Sequence, residues 1–306
     1  MQNTLKSAAT FAGLGLHSGA KVRMVVRPAS ADYGIWFRRM DVVDRDPMVQ
    51  AHWDGVVPSK LCTLIENADG VHVSTIEHVM AALAGSAIHN ALIEIDGPEV
   101  PILDGSAVPF VEGFLAKGIR EQAAPVRAIR VLKPVEVRDG DALARLEPAE
   151  MLEIDFQIDF EEAAIGRQSR RLNMANGAFV RELSDSRTFC LQSDVDMMRE
   201  KGLALGGTLE NAVVFDAGQV LSPGGLRHSD EPVRHKMLDA VGDLALAGGP
   251  VLGRYTGIRA GHALTNRLLR ALFADPEAYC MVDCGPTTVG KLPGVGVHRG
   301  DLPTAH

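Results

Sequence analysis

The sequence predicts an α+β protein built of two similar halves, and three features carry that expectation. The chain has 306 residues, enough for two ordinary domains, each with its own core. In both halves short β-rich runs alternate with helices that carry one apolar stripe. Between the halves, "KGIREQAAPVRAIRVLKPVEV" loses helical periodicity around Glu121 to Pro125 and resumes as strand. The first domain is therefore expected over residues 1–124 and the second over 125–285. The Gly- and Pro-rich tail over 286–306 is expected to be loose, with His298 and His306 exposed to solvent.

Taken in order, the first half offers strand-like "KVRMVVRP", the helix "STIEHVMAALAGSA" and the strand "ALIEIDG". The second offers strands "ALARLEP" and "LEIDFQIDF", then "NAVVFD" and the helix within "VRHKMLDAVGDL". Strand-like "GRYTGIRAG" and a helix from about Leu264 to Phe273 follow.

Composition narrows the function. An apolar share of 46% against 23% charged residues excludes a disordered chain. The net charge of −8, with no basic stripe, argues against nucleic-acid binding. A small anionic substrate remains compatible, because it needs one or two local cations. No apolar run approaches the roughly 18 to 20 residues that cross a bilayer, so stable membrane insertion is not expected. The N-terminal "MQNTLKSAATFAGLGLHSG" imitates a signal peptide poorly, since glycines and His17 interrupt its apolar stretch. Cys62, Cys190, Cys280 and Cys284 lack CxxC spacing and read as reduced thiols of a cytoplasmic protein.

Two helices carry polar residues opposite their apolar stripes. In the helix expected from Thr75 to Ala84, the stripe is Ile76, Val79, Met80 and Leu83. His78 points roughly 150° away from its centre and Glu77 lies on its flank. In the other helix the stripe is Met237, Leu238, Val241, Leu244 and Ala245, with His235 and Asp239 roughly 130 to 150° away. If these faces meet across the domain boundary, His78, His235 and Asp239 converge. A His/His/carboxylate set leaves a fourth position open, the pattern of a catalytic zinc. Two imidazoles favour zinc over magnesium, with iron and cobalt as alternatives. Blander readings stand beside this one. Ser74-x-x-Glu77 has the form of a capping box, and His235 with Asp239 has the spacing of an i,i+4 ion pair.

The runs "TIEHVMAAL", "GPEVPILDGSA", "SRTF", "GLALGG", "VRHKMLDAVGDL" and "GHALTN" follow one another in this order. Together they resemble the UDP-3-O-acyl-N-acetylglucosamine deacetylases, zinc enzymes of the committed step of lipid A synthesis in Gram-negative bacteria. The likeness runs from about Gly13 to Phe273. It implies two α+β domains whose helices lie sandwiched between the two sheets, each domain carrying an insert. The first insert is a small sheet and the second a β-α-β unit at about 188–215.

By this resemblance His78, His235 and Asp239 are the zinc ligands, with iron(II) the alternative ion. Glu77 is the general base, His262 the general acid, Asp243 its orienting partner, and Thr188 the hydroxyl that helps bind the oxyanion. Lys236 and Arg259 match positions near the nucleotide end, and Phe160 matches an aromatic that packs against the uracil. Phe189 counts among the substrate-binding residues, while Leu191, Val195, Ala204, Thr208 and Val214 line a hydrophobic passage for the acyl chain. Within that insert Ser193 is a plausible N-cap, and Val195 with Met198 makes an apolar edge. The implied reaction is hydrolysis of the N-acetyl group of the UDP-linked acyl sugar by a monomer. A different zinc amidase is disfavoured by the lack of H-E-x-x-H. A non-catalytic sugar-nucleotide binder is disfavoured because ligands, base and acid are all present.

Overall fold

The computed structural model describes residues 1–304, so the expectation for His306 falls outside the described residues. The first half forms a five-stranded sheet ordered Ala9–Leu14, Lys21–Pro28, Ala91–Ile95, Ile35–Arg39 and Met48–Gln50. Its pairs are antiparallel except for Ala91–Ile95 beside Ile35–Arg39, which is parallel. Alternation places the strands on a core: Val22, Met24 and Val26 are buried, whereas Lys21, Arg23 and Arg27 face water. Val56–Val57, Leu64–Glu66 and His72–Ser74 form the small sheet of the insert.

Two helices belong to this half, α1 at Glu77–Gly85 and α2 at Val108–Lys117. Sequence patterning alone passes over α2, and the reason is local. Pro109 and Gly113 look like breakers, yet proline is tolerated in a first turn, and Gly113 lets the helix approach the Phe11 ring, 2.6 Å from where a Cβ would stand. Phe110, Val111 and Phe114 are the face it buries.

The second half builds a seven-stranded sheet around Val251–Ile258. Its main path runs Val135–Asp139, Ala142–Pro148, Val251–Ile258, Arg127–Val131 and Tyr279–Asp283. Glu153–Asp159 joins parallel to Val251–Ile258, and Arg167–Asn173 pairs antiparallel with Glu153–Asp159. The strand "RQSRRLN" escapes sequence patterning because it has almost no apolar residues; its hydrogen bonds and flanking ion pairs hold it on the sheet edge instead. The helices of this half are α3 at Ala178–Glu182, α4 at Gln192–Glu200, α5 at Glu231–Ala245, α6 at His262–Ala274 and α7 at Pro286–Val289. Strand Phe189–Leu191, α4 and strand Val213–Asp216 make up the β-α-β insert, with Gln219–Val220 as a third strand.

α1 packs along α5, and α5 and α6 lie on the second sheet, so the helices fill the space between the two sheets. One continuous apolar core contains both stripes, including Ile76, Val79, Met80 and Leu83 with Met237, Leu238, Val241 and Leu244. The close approach depends on Gly242, because a Cβ there would stand 2.1 Å from the Glu77 carbonyl oxygen.

Three local expectations are corrected. Ser74 does not cap α1: it ends a strand, its Oγ donates to the Pro98 carbonyl, and Thr75 takes a left-handed φ of 57° that breaks helical geometry before Glu77. Ser193 is not an N-cap either, since α4 starts at Gln192 behind Leu191 without a side-chain cap. The tail is not loose as far as residue 304. Leu292 is 1% exposed and packs with Val126, Ala128, Leu252 and Cys284, while Asp301 pairs with Arg181 at 2.9 Å. Burial of apolar side chains outweighs the Gly and Pro content there. His298 is exposed, as expected, although its ring meets Asp301.

Candidate metal centre

α1 opens with Glu77 and His78, and α5 supplies His235, Asp239 and Asp243 from successive turns. Where the helices cross, His78 Nε2 lies 3.7 Å and His235 Nε2 3.3 Å from the same oxygen, Asp239 Oδ1. The two imidazoles meet edge to face with centroids 5.0 Å apart. One donor atom from each of these buried residues lies within 4.8 Å of the others. The polar faces of the two helices are thus buried between the domains. They contact each other rather than bulk water.

The donors suit a divalent cation. His235 Nδ1 sits 3.0 Å from the Ser186 carbonyl, a bond that puts the proton on Nδ1 and leaves the Nε2 lone pair facing the cluster. Burial, reinforced by the neighbouring His235, lowers the His78 pKa to about 3, and burial also lowers that of His235, so both rings are neutral ligands at pH 7. Burial would raise the Asp239 carboxyl, but His235 and Lys236 beside it hold it below the usual carboxylate range. Asp239 Oδ2 accepts from Lys236 Nζ at 2.7 Å, whereas Oδ1 is buried with no hydrogen-bond partner. A buried carboxylate oxygen without a donor is costly, and a metal ion held by it and both imidazoles would satisfy it.

Two further groups flank the cluster. Burial raises the Glu77 carboxyl to about 7, and its Oε2 is fixed by the Thr63 backbone N–H at 3.0 Å. Its Oε1 looks across 3.7 Å to His262 Nε2. His262, at the first position of α6, turns Nδ1 to Asp243 Oδ2 at 2.8 Å. Burial opposes its charge, but Asp243 and Glu77 outweigh burial and raise its pKa to about 9. Thr63 Oγ1 donates to the other Asp243 oxygen at 2.6 Å, so one residue of the small insert orients both carboxylates. Sequence reasoning misses Thr63: "KLCTLIE" carries no local signal, and its partner lies 180 positions away.

The cluster forms one end of a cavity of ≈ 1050 Å³. Glu77, His78, Thr188, His235, Lys236, Asp239 and His262 line it at that end, with Phe160 and Phe189 close by. Phe160 meets Phe189 edge to face at 5.5 Å, and Phe189 in turn meets the His235 ring at 6.3 Å. Leu191, Val195, Ala204, Thr208 and Val214 continue the wall through the second insert. Two of the sequence candidates are not on this wall. Asp243 lies behind His262, and Arg259 stands on the surface, paired with Asp159 at 2.6 Å. His17 also lines the cavity with both ring nitrogens buried and unpartnered; nothing in its sequence context singles it out.

A hold on the Thr188 loop comes from a buried ion pair. Glu231, in the first turn of α5, accepts from the Arg187 backbone N–H at 3.0 Å and from its guanidinium at 2.9 Å. The loop that carries Thr188 and the Ser186 carbonyl is thereby tied to the helix that carries His235.

Comparison with known proteins gives one consistent result. A family model described as UDP-3-O-acyl N-acetylglycosamine deacetylase matches residues 2–274. The chain is similar to the UDP-3-O-acyl-N-acetylglucosamine deacetylase of Phenylobacterium zucineum (strain HLK1), 52% identical over 278 residues, or 91% of this chain and 95% of that one. It is similar to the protein of that name from Xanthomonas axonopodis pv. citri (strain 306), 46% identical over 91% of this chain and 92% of the other. For Anaeromyxobacter sp. (strain Fw109-5) the identity is 47%, over 92% of this chain and 91% of that protein.

Proposed function

Because the chain belongs to the UDP-3-O-acyl N-acetylglycosamine deacetylase family, we propose that it hydrolyses the N-acetyl group of UDP-3-O-acyl-N-acetylglucosamine to acetate and the free amine. The carrying observation is the meeting of His78, His235 and the unpartnered Asp239 Oδ1 between two domains, with Glu77 and His262 beside them, 3.7 Å apart. Zinc is the ion this donor set favours, because two neutral imidazoles and one carboxylate suit a borderline ion and leave a position open. Such an ion supplies Lewis-acid activation of water and of the amide carbonyl.

The remaining work falls to side chains. Glu77, whose carboxyl is held near 7, accepts a proton from the attacking water. Thr188 lines the cavity, and its hydroxyl donates to the oxyanion of the tetrahedral state, a contribution of roughly 3 kcal/mol for such a donor. An amine does not leave as an anion. His262 carries the required proton on Nε2, kept there by Asp243 at Nδ1. Lys236, at the cavity wall, and Phe160, whose ring is partly exposed, serve the nucleotide end. Arg259 contributes from the rim once its pairing with Asp159 opens. The walls from Leu191 to Val214 receive the acyl chain.

No helix among the described residues is long and apolar enough to cross a membrane. The proposed enzyme acts as a cytoplasmic monomer on a substrate with an apolar tail. The test measures metal per chain and acetate release from the UDP-linked acyl sugar, with and without chelator. About one ion per chain and chelator-sensitive release are expected. Acetate release that persists in metal-free protein overturns the reading.

A further inference from the structure

Glu99 lies outside the cavity, yet two segments that wall the cavity, the turn at His17 and Ser18 and the stretch at Thr75, converge on its carboxylate. The residue is 4% exposed and sits beside Ser74 in a parallel bridge. Its Oε1 accepts from the His17 backbone N–H at 2.8 Å and from Thr75 Oγ1 at 3.1 Å. Its Oε2 accepts from the Ser18 backbone N–H at 2.9 Å and from Ser18 Oγ at 2.6 Å. All four partners donate, so the position requires a group that accepts at both ends.

The turn fixed in this way is the seat of the second domain's insert. Its carbonyls face outward and accept from that insert: Leu16 O from Gly206 N at 3.0 Å, and His17 O from Leu205 N at 3.2 Å. The backbones meet so closely that a Cβ on Gly206 would stand 2.2 Å from the Gly15 carbonyl oxygen. A Cβ on Gly15 would stand 2.3 Å from Glu99 Oε2. On the far side Asn211 Nδ2 donates to the Gly206 carbonyl at 3.0 Å. Leu16 and His17 on one side of this seam, and Leu203, Ala204 and Gly207 on the other, all line the cavity.

We infer that Glu99 is a positioning residue for acyl-chain recognition: by clamping the 16–18 turn it holds the 203–207 stretch of the insert as one wall of the passage. It touches no reacting atom. A slack seam weakens the grip on the tail of the substrate and leaves the chemistry at α1 and α5 intact. This rests on the acyl-sugar reading proposed above, but the seam itself can be measured without any substrate.

The test uses the full chain with Glu99→Gln, which keeps the shape and presents an NH₂ group to donors at one end. Hydrogen exchange at the Leu205 and Gly206 amides should accelerate by about 10-fold or more, as loss of charge-assisted hydrogen bonds predicts, while amides of α5 keep their protection. KM for a long-acyl substrate should rise about 10-fold with kcat within about 2-fold, and a substrate without the acyl chain should show no change in KM. Gly206→Ala, which forces the seam from its other side with Glu99 intact, should give the same acyl-dependent rise and serves if Glu99→Gln fails to fold. Unchanged exchange at Leu205 and Gly206 overturns the clamp. Faster exchange with equal KM changes for both substrates overturns the role in acyl recognition. If the parent releases no acetate from either substrate, the proposed function fails, and the exchange result still decides the clamp.

Discussion

α1 and α5 deliver ligands to the same point in opposite ways. α1 has nine residues and is buried on nearly every side. Its polar residues stand together at its first turn, Glu77 and His78, where α5 crosses. α5 has 15 residues and spreads Glu231, His235, Asp239 and Asp243 along one line at four-residue spacing. These four side chains act differently. The first ties down the Thr188 loop, the next two face the candidate metal position, and the last holds His262. A short buried helix tolerates polar side chains at an end, where its backbone is already irregular. A long helix supported by its own sheet can carry a row of them, because each finds a polar neighbour: Arg187 for Glu231, the Ser186 carbonyl for His235, Lys236 for Asp239, and Thr63 with His262 for Asp243.

If the two helices contribute equally to the ion, removing either ligand empties the site. His78→Ala is expected to lose both bound metal and activity, the latter by about 10³-fold or more, since the ion supplies several kcal/mol of transition-state stabilisation. Metal analysis beside acetate release checks this, and a variant with full metal content would place the ligand set on α5 alone. Its neighbour should separate the roles within α1. Glu77→Gln should keep the metal and lose about 10²- to 10⁴-fold in kcat, the usual range for a positioned acid or base. Turnover near that of the parent would reduce Glu77 to a structural partner of Thr63.

The groups beside the ligands, Glu77 of α1 and the His262 that Asp243 of α5 holds, make their own prediction through pH. Glu77 acts deprotonated, so activity falls as pH drops below about 7. His262 acts protonated, so activity falls as pH rises through about 9. His262→Ala should lose about 10²-fold and flatten the alkaline limb. A limb that survives in the variant belongs to another group. The smallest effect concerns the crossing itself. Gly242→Ala puts a Cβ against the Glu77 carbonyl and should destabilise the protein by about 1–3 kcal/mol, read by urea denaturation. Unchanged stability would mean that α1 and α5 slide past each other freely.

Much of this is legible in the chain. The apolar stripes of α1 and α5 are, because helical periodicity is local and both stripes are buried as expected. His78, His235 and Asp239 stand out by phase, Glu77 and His262 by the resemblance, and the structure brings them together. α2 and the strand Arg167–Asn173 escape notice because one is full of apparent breakers and the other is almost wholly polar. The capping box fails because Thr75 departs from helical geometry to reach Glu99. The tail beyond Cys284 folds where looseness is expected because Leu292 finds a pocket among Val126, Ala128 and Leu252.

The order of residues along the chain settles which of them point away from each helix's apolar side, since that follows from 3.6 residues per turn and nothing else. It settles too that the donors are of a type to hold an ion. The tertiary structure alone decided that those faces would meet, that Thr63 would serve two carboxylates 14 and 180 positions away, and that Glu99 would hold a turn for the other domain's insert. Periodicity is written in neighbouring residues. Contact between distant segments depends on how two sheets and their helices pack, and no short stretch of chain encodes that distance.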